Sequence, residues 1–390
     1  MTRPLITLHS RRRLPHHCSC STSRVTVDML DLTARVDQTA TSTLAAGEVL
    51  LDVVKWGFTS NNITYGGAGS TLRYWDFFPT GSDDRGMIPV WGLATVRASE
   101  VEGIHAGQRL FGFLPMAQCA VLRPGRVSRR SFVDAALHRA ELPAVYNEYL
   151  FCDHDPFYSR STEDRMLLLR PLFLTAWLLD DFLAGHSDFG ARSVVLSSAS
   201  SKTAIGLAYM LRQRPAARQL EIIGLTARGN VDFVEGLGMY SRVVSYESVA
   251  EDGDGGALAS SGSAVYVDMA GSLGVLKAVH ESLGSALKYS CAVGLAHRNA
   301  HDGGRLPPGL PGTRPQFFFA PEWIRRRASE SAGGTGELIG SIVPSWNGFV
   351  ADSARWLGIV HMHGATSVLS GYAAAATGRS RPSVGTIMSI

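Results

Sequence analysis

Cysteine is scarce in this chain, and its few thiols are scattered. The 390 residues contain five cysteines, of which only the Cys18-Ser19-Cys20 pair is closely spaced. The other three are Cys119, Cys152 and Cys291. An odd number of dispersed thiols argues against a disulfide framework, and a four-cysteine zinc lobe would need clustered thiolates. We therefore expect a protein of a reducing compartment, the cytoplasm, without a structural metal.

The chain also lacks an apolar stretch long enough to span a membrane. Its most apolar window, residues 166–183, is interrupted by Arg170, Pro171, Asp180 and Asp181. Because a membrane helix needs about 20 mostly uncharged residues, this window predicts a buried helix and no membrane partner.

Acidic residues are absent from the first 24 positions, which contain five arginines. Subtracting these five from the formal net charge of +3 leaves −2 for residues 25–390. The rest of the chain is therefore not basic, which argues against a nucleic-acid partner. Residues 1–24 have no continuous apolar core of a secretory signal, so we expect a disordered leader, with organelle import as the less favoured alternative.

The first half of the sequence has a β pattern. At this length, with 45% hydrophobic residues, a single core normally divides into two domains. β-Branched and apolar runs separated by Gly and Pro predict a compact barrel with strands at 48–54, 88–96, 108–113 and 117–122. The first of these strands should be broken at Gly57.

The second half alternates between helix and strand patterns. Helices are predicted at 166–185, 203–214, 230–237 and 273–283, and strands at 193–197, 220–226, 242–245, 264–268 and 290–295. This alternation is typical of βαβ units on a parallel sheet. We predict a barrel domain at 25–160, a parallel-sheet domain at 161–328, and a segment at 329–390 that returns to the barrel.

A turn of small residues follows the first strand of the second half. A dinucleotide pyrophosphate binds backbone N–H groups at a helix N-terminus, and bulky side chains would keep it away. Ser198, Ser201 and Ala204 stand where three glycines are usual, so the turn must manage without the freedom of glycine to adopt positive φ angles. The expected phosphate ligands are Ser198, Ala199, Ser200, Ser201, Lys202 and Thr203.

Two alternatives to a dinucleotide site exist. Ser and Thr are also the preferred caps of ordinary helices. A phosphate loop for a nucleoside triphosphate would need glycine at the positions of Leu196 and Ser201, so it is the weaker alternative.

The end of the next strand favours NADP(H) over NAD(H). It reads Thr226-Ala227-Arg228, with no acid before Asp232 to bind a ribose 2′-hydroxyl. Thr226 and Arg228 are therefore predicted cofactor residues, with Arg228 facing a 2′-phosphate. An Arg after a strand is also often only a solvated side chain.

The order of several motifs resembles the medium-chain dehydrogenase/reductase superfamily, in its zinc-free quinone- and enoyl-reductase branch. The resemblance covers Val49 to the C-terminus. The matching segments are 48–62, Pro89-Val90-Trp91-Gly92, 107–112, Val267-Asp268-Met269-Ala270-Gly271 and 381–387. Tyr-Trp-Asp-Phe-Phe-Pro at 74–79 is similar to an uncharacterised subfamily, from which no substrate can be transferred.

This resemblance implies an α/β fold with a GroES-like β-barrel domain and a Rossmann-type, doubly wound parallel sheet. Gly271, in the segment that resembles the family's Asp-x-x-Gly turn, and Tyr246 are further predicted cofactor residues. The superfamily's alcohol dehydrogenases hold a catalytic zinc with Cys, His and Cys or Glu. Thr59 stands in place of the first cysteine, and no His-Glu pair follows. No metal is therefore expected.

Without a metal, hydride transfer to a carbonyl compound needs a donor for the developing negative charge and a proton source. Asn62 is the candidate for binding a substrate carbonyl, although it could equally bond its own loop. Tyr65 and Tyr74 are the candidate proton donors, with Tyr65 slightly favoured. The aromatic density around Tyr74 is more typical of a packed lid.

Two functions fit these observations. One is an NADPH-dependent reductase of an enone, a quinone or a related carbonyl compound. The other is a catalytically silent NADP(H)-binding sensor or auxiliary protein. Both take a small molecule as partner, and a homodimer is compatible with either.

Overall fold

Two large β-sheets organise this computed structural model, which describes residues 21–40, 44–215, 219–251, 258, 262–293 and 309–390. The strands of the first half are β1 (Ser21–Asp28), β2 (Ala34–Ala40), β3 (Val49–Phe58), β4 (Arg85–Gly86), β5 (Pro89–Ser99), β6 (Arg109–Pro115), β7 (Cys119–Leu122), β8 (Pro124–Gly125), β9 (Ser131–Asp134) and β10 (Glu148–Phe151). Those of the second half are β11 (Ser193–Leu196), β12 (Glu221–Thr226), β13 (Arg242–Ser245), β14 (Ala264–Asp268), β15 (Leu287–Ala292), β16 (Gln316–Phe317), β17 (Gly358–His363) and β18 (Val384–Ser389).

Nine helices connect these strands in the described part of the chain. They are α1 (Ser60–Gly67), α2 (Glu163–Gly185), α3 (Lys202–Arg212), α4 (Val231–Gly236), α5 (Tyr246–Glu251), α6 (Leu273–Leu283), α7 (Ala320–Glu330), α8 (Gly334–Ser353) and α9 (Ala365–Ala376). Among them, no helix is long and apolar enough to cross a membrane.

The mainly antiparallel sheet forms the barrel. Its order is β17-β18-β3-β5-β6-β10-β9-β8, and β7 also pairs with β3. β1 pairs with β2 and β4 in a small separate sheet. Side chains that alternate inward along β3, β5 and β6 fill one apolar core with Trp56, Phe113 and Val90. The predicted GroES-like barrel is confirmed.

The parallel sheet has the order β13-β12-β11-β14-β15-β16. Each strand pairs in parallel with its neighbours. The chain winds outward from β11 in one direction and from β14 in the other, so the strand order reverses between them. Ligands of such sheets bind in the crevice at the carboxyl ends of the strands beside this switch point. The predicted Rossmann-type fold is confirmed.

Two sequence predictions need correction. The disordered leader was placed at residues 1–24, but β1 begins at Ser21 and pairs with β2, while residues 1–20 lie outside the described residues. The C-terminal segment returns to the barrel only through β17, α9 and β18, since α8 packs on α2 and α3 beside the parallel sheet. An apolar face of α8 with Ile342, Trp346 and Phe349 explains this position. The other domain boundaries stay predictions.

Partly buried ion pairs join the barrel to the start of α2. Lys55 Nζ lies 2.6 Å from a carboxylate oxygen of both Glu163 and Asp164, and Arg109 lies 3.0 Å from Glu163. Burial alone would raise the pKa of Glu163, but the hydrogen bond from Lys55 and the charges of Arg109 and Lys55 outweigh it and lower the pKa. His361 also binds Asp164, at 2.8 Å. These contacts fix α2 against the barrel wall.

Gly57 lies where β3 passes α2, and the strand continues through it to Phe58 rather than breaking there. A Cβ atom at Gly57 would lie 2.7 Å from the Leu167 carbonyl oxygen. We expect Gly57→Ala to lower the free energy of unfolding by about 1–3 kcal/mol, because neither backbone can move aside easily. Urea denaturation measures this.

The matched control is Gly340→Ala in α8, where a Cβ would have no atom within 4 Å. It should instead gain up to about 1 kcal/mol from helix propensity. Equal effects of the two substitutions would contradict the close contact at Gly57.

Candidate active site

A cavity of about 1940 Å³ lies between the barrel and the carboxyl ends of the parallel strands. Typical ligand pockets enclose about 300–1,000 Å³, so this one has room for a dinucleotide and a second molecule. Ser198, Ser201 and Lys202 line it from the parallel-sheet side. Tyr65 and Trp91 line it from the barrel side.

The turn after β11 adopts a left-handed conformation at its first position. Ser198 has a φ angle of 53°. The turn lacks glycine, as the sequence shows, and serine occupies the conformation that glycine usually supplies. A non-glycine residue in this region stores about 1–2 kcal/mol of strain. Strain of this kind is often found at ligand sites.

Ser198→Gly should raise the free energy of unfolding by up to about 1 kcal/mol. The substitution relieves the left-handed strain but adds about 0.5–1 kcal/mol of backbone entropy to the unfolded chain. Urea denaturation measures the change. Ser200→Gly is the control, because Ser200 has no positive φ angle and should gain nothing. A loss of stability in Ser198→Gly would show that the serine is not strained.

The N-terminus of α3 presents polar groups to the cavity. Ser201 is the N-cap, and its hydroxyl accepts a bond from the Ala204 N–H at 3.3 Å. Within the described residues, the N–H groups of Lys202 and Thr203 have no acceptor, as expected for the first turn of a helix. These two groups and the helix dipole favour an anion at this position.

Lys202 is the cation of this end of the cavity. Its side chain is half-buried, and burial lowers the pKa of its ammonium to about 8. Its ammonium makes no ion pair with any described carboxylate. Lys202 was one of the phosphate ligands expected from the sequence, and its side chain lines the cavity. An anionic ligand would supply the missing counter-charge.

Of the remaining residues of the turn, Ala199 shapes it and Ser200 lines the cavity. Ala199 is fully buried, its N–H donates to Leu225, and its carbonyl accepts from Tyr240. Ser200 lines the cavity and lies 3.5 Å from the Thr226 hydroxyl. The prediction of Ala199 as a direct ligand is therefore corrected, since both its backbone groups are already bonded.

Three other predicted cofactor residues lie behind or beside the cavity. Arg228 is exposed and does not line the cavity. The Tyr246 hydroxyl accepts a bond of 2.7 Å from the Ser198 N–H, which is one of the groups expected to bind pyrophosphate. Gly271 has a φ of 65°, and its N–H donates to the buried Asp268 carboxylate. Gly271 thus forms a turn, and its N–H is not free for a ligand.

Aromatic side chains form the barrel end of the cavity. Tyr65 stacks on Tyr74 with 4.4 Å between ring centroids, and the Tyr74 and Tyr146 hydroxyls are 3.3 Å apart. Trp91 stacks on Phe111 at 5.3 Å. All five line the cavity, which therefore has an apolar end with phenol hydroxyls in its wall.

Tyr65 is the phenol with a side-chain amide beside it. Asn61 Nδ2 donates to its hydroxyl oxygen at 2.9 Å. Burial raises the pKa of Tyr65, and Tyr146 raises it further, while the Trp91 indole and the Asn61 amide act in the opposite direction. The phenol therefore keeps its proton at neutral pH. Burial likewise raises the pKa of Tyr74.

Asn62 does not face the large cavity. It is 5% exposed, its carbonyl oxygen accepts from the Thr59 N–H at 2.9 Å, and its amide donates to Pro89. The prediction that it binds a substrate carbonyl is therefore corrected, because α1 uses the side chain in its N-terminal cap. Its neighbour Asn61 faces the cavity instead.

The lining residues that the sequence did not single out include the polar or aromatic side chains of Asn61, Trp91, Tyr146 and Asn230. Asn61 and Trp91 belong to motifs that the sequence analysis identified. Their place near the site could therefore be predicted, but the direction in which their side chains point could not. The Tyr146 and Asn230 positions carry no sequence signal that separates them from ordinary loop residues.

Across the described ranges, no group of three or more His, Cys, Asp or Glu side chains could hold a metal ion. His361 and His363 bind Asp164 and Ser389 respectively. Metal independence stays a prediction.

Residues 56–381 match the model of a family described as "Protein of unknown function (DUF2855)". No curated protein matches the chain. The fold is similar to a probable oxidoreductase from Mycobacterium abscessus, with 12% identity, a TM-score of 0.55, and 96% of this chain and 100% of that chain covered.

Two further solved structures are similar. The yhdH oxidoreductase from Salmonella enterica in complex with NADP has 17% identity and a TM-score of 0.51, over 94% of this chain and 99% of that chain. An Etr1p mutant in complex with NADP and crotonyl-CoA has 11% identity and a TM-score of 0.56, over 95% and 100%. At these identities the similarity establishes the fold.

Proposed function

Because the chain belongs to the family described as "Protein of unknown function (DUF2855)", whose name assigns no activity, we propose a function from its site. We infer an oxidoreductase that binds NADP(H) and reduces a conjugated carbonyl compound, an enone or a quinone, without a metal. The observation that carries this proposal is one continuous cavity with an anion-binding helix N-terminus in one wall and the Tyr65 phenol in another.

The phosphate end fits a dinucleotide. The free N–H groups of Lys202 and Thr203 would hold the pyrophosphate, and the Lys202 ammonium would pair with a phosphate charge. The Ser198 N–H donates to the Tyr246 hydroxyl, and a phosphate oxygen would share this donor with the hydroxyl or displace it. NADP bound to two proteins of similar fold supports the choice of cofactor.

The barrel end fits the acceptor. A reduced nicotinamide would supply a hydride there, and the chain must supply a proton or a hydrogen bond for the product oxyanion. Tyr65 can do so because its O–H stays protonated and Asn61 already bonds its oxygen. The Trp91 and Phe111 rings exclude water and pack on an apolar, planar acceptor.

The proposal predicts that NADPH binding depends on Lys202. Lys202→Met keeps the aliphatic stem and removes the charge, so we expect NADPH affinity to fall about 10- to 100-fold, the worth of a charge-assisted hydrogen bond of about 1.5–3 kcal/mol. Titration of nicotinamide fluorescence measures this. In the parent protein, affinity should also fall as the pH rises above 8, because the ammonium then loses its proton.

The matched control is Lys277→Met, since Lys277 is an exposed lysine whose ion-pair partner among the described residues is the exposed Glu281. The NADPH affinity and the pH profile of Lys277→Met should equal those of the parent protein. Unchanged NADPH binding in Lys202→Met would remove the turn as the cofactor site.

Turnover separates the enzyme from the silent alternative. We expect oxidation of NADPH with at least one member of a panel of quinones and enones. NADPH binding without turnover of any of them would indicate a nucleotide sensor or auxiliary protein.

A further inference from the structure

A second, small cavity adjoins the large one at Tyr65 and Trp91, which line both. It encloses about 20 Å³ and is lined by Gly57, Thr59, Tyr65, Trp91, Leu167 and Pro171, among others. A cavity needs roughly 10–15 Å³ of such space to hold one water molecule, and the water needs two to four polar partners. The size therefore fits one water, and the polar groups around the cavity decide whether it binds.

The Trp91 indole supplies a donor. Its Nε1 is buried and, within the described residues, makes no hydrogen bond. Leaving a buried donor unpaired costs about 1–3 kcal/mol, so such groups normally bond to protein or to an ordered water. The indole borders the small cavity with its N–H near the Tyr65 oxygen, outside regular hydrogen-bond geometry but close enough to lower the pKa of that phenol.

The Leu167 carbonyl supplies an acceptor. Pro171 follows four residues later inside α2 and has no N–H to donate back to it. This carbonyl packs closely against Gly57, and both residues line the same cavity. The proline thus releases one helix carbonyl at the wall of the cavity.

Tyr65 supplies the third partner. Its oxygen accepts one hydrogen bond, from Asn61, and a phenol oxygen can accept a second. Trp91, Leu167 and Tyr65 together therefore offer one donor and two acceptors, which is the complement of a water molecule that accepts once and donates twice.

We propose that the small cavity binds one structural water, which accepts a hydrogen bond from Trp91 Nε1 and donates to the Leu167 carbonyl and the Tyr65 hydroxyl oxygen. With Asn61 and this water on its oxygen, the phenol has only its proton left to offer. That proton then points into the large cavity, toward the acceptor. This orienting role rests on the proposed function, whereas the water site itself does not.

Crystal structures test the water directly. In the parent protein we expect an ordered water about 3 Å from Trp91 Nε1, the Leu167 oxygen and the Tyr65 oxygen. Trp91→Phe removes the donor and should lose it. Pro171→Ala restores a backbone N–H for Leu167, favours the helix, and should lower the water's occupancy.

Trp75→Phe is the control, because the Trp75 indole N–H is also buried without a partner but borders neither cavity. The water should remain in this variant. A dry cavity in the parent protein, or a water that persists unchanged in both Trp91→Phe and Pro171→Ala, would overturn the site.

Kinetics test the orienting role. Trp91→Phe should lower kcat up to roughly tenfold, the effect of one hydrogen bond, with the Kd for NADPH within twofold of the parent value. If the parent protein holds the ordered water but Trp91→Phe has the same kcat as the parent, the orienting role is refuted. If the parent protein holds the water but never oxidises NADPH, the proposed function is refuted and the water site remains. If the parent protein oxidises NADPH but holds no water, the water site is refuted and the proposed function remains.

Discussion

Tyr65→Phe is expected to lower kcat for NADPH oxidation by about 10²–10⁴-fold, the usual contribution of a positioned proton donor. The substitution keeps the ring that stacks on Tyr74 and removes only the hydroxyl that Asn61 bonds. The Kd for NADPH should stay within twofold of the parent value, because Tyr65 lies at the barrel end of the cavity and the phosphate turn lies at the opposite end. Steady-state kinetics and fluorescence titration on the same preparation measure both.

Tyr74→Phe is the matched comparison within the same wall. Its hydroxyl bonds only the Tyr146 hydroxyl among the described residues, so the loss in kcat should be tenfold or less, the effect of one hydrogen bond. A larger loss in Tyr74→Phe than in Tyr65→Phe would transfer the proton-donor role to Tyr74. Equal and small losses would leave neither phenol as a donor.

Arg139→Met is expected to lower the free energy of unfolding by about 3–5 kcal/mol, because it leaves the Asp134 carboxylate buried without its counter-charge. The two side chains are 1% and 2% exposed and lie 3.1 Å apart. Arg139 also bonds the Phe77 carbonyl and the Tyr149 hydroxyl, and its guanidinium packs on the Phe78 ring. It therefore anchors the Tyr-Trp-Asp-Phe-Phe-Pro segment to the barrel. Urea denaturation gives the loss.

Arg35→Met provides the control, because Arg35 pairs with Asp37 at the surface and is 61% exposed. Exposed pairs contribute about 0–1 kcal/mol, so this variant should remain near the parent stability. If Arg139→Met were no more harmful than Arg35→Met, the buried pair would have no special role in the barrel.

The phosphate turn illustrates how far sequence reasoning reaches. Its position between a buried strand and a helix follows from the pattern Val194 to Ala204, and α3 begins at Lys202, within a residue of the prediction. The pattern did not reveal that Ser198 would adopt a positive φ. In the folded turn the Ser198 N–H donates to the Tyr246 hydroxyl, 48 residues away, a contact that no local pattern contains.

The chain by itself determined the elements and their order. Alternating apolar residues specify the barrel strands, and βαβ alternation specifies the parallel sheet, since each pattern expresses which face of an element must be buried. The location of the cofactor crevice follows, because ligands bind at the switch point of such sheets. The small-residue turn and the missing acid after β12 could also be recognised in the sequence, because each is a feature of a few consecutive residues.

Only the tertiary structure decided which side chains face the cavity. Adjacent residues of a helix point about 100° apart, so the packing of α1 decides whether Asn61 or Asn62 faces the cavity. The Asn62 side chain is hydrogen-bonded to Thr59 and Pro89 instead. Lys202 became a cavity cation and Arg228 an exposed side chain through the fold around them. Hydrogen-bond partners and burial are set by residues distant in sequence, and no local pattern contains them.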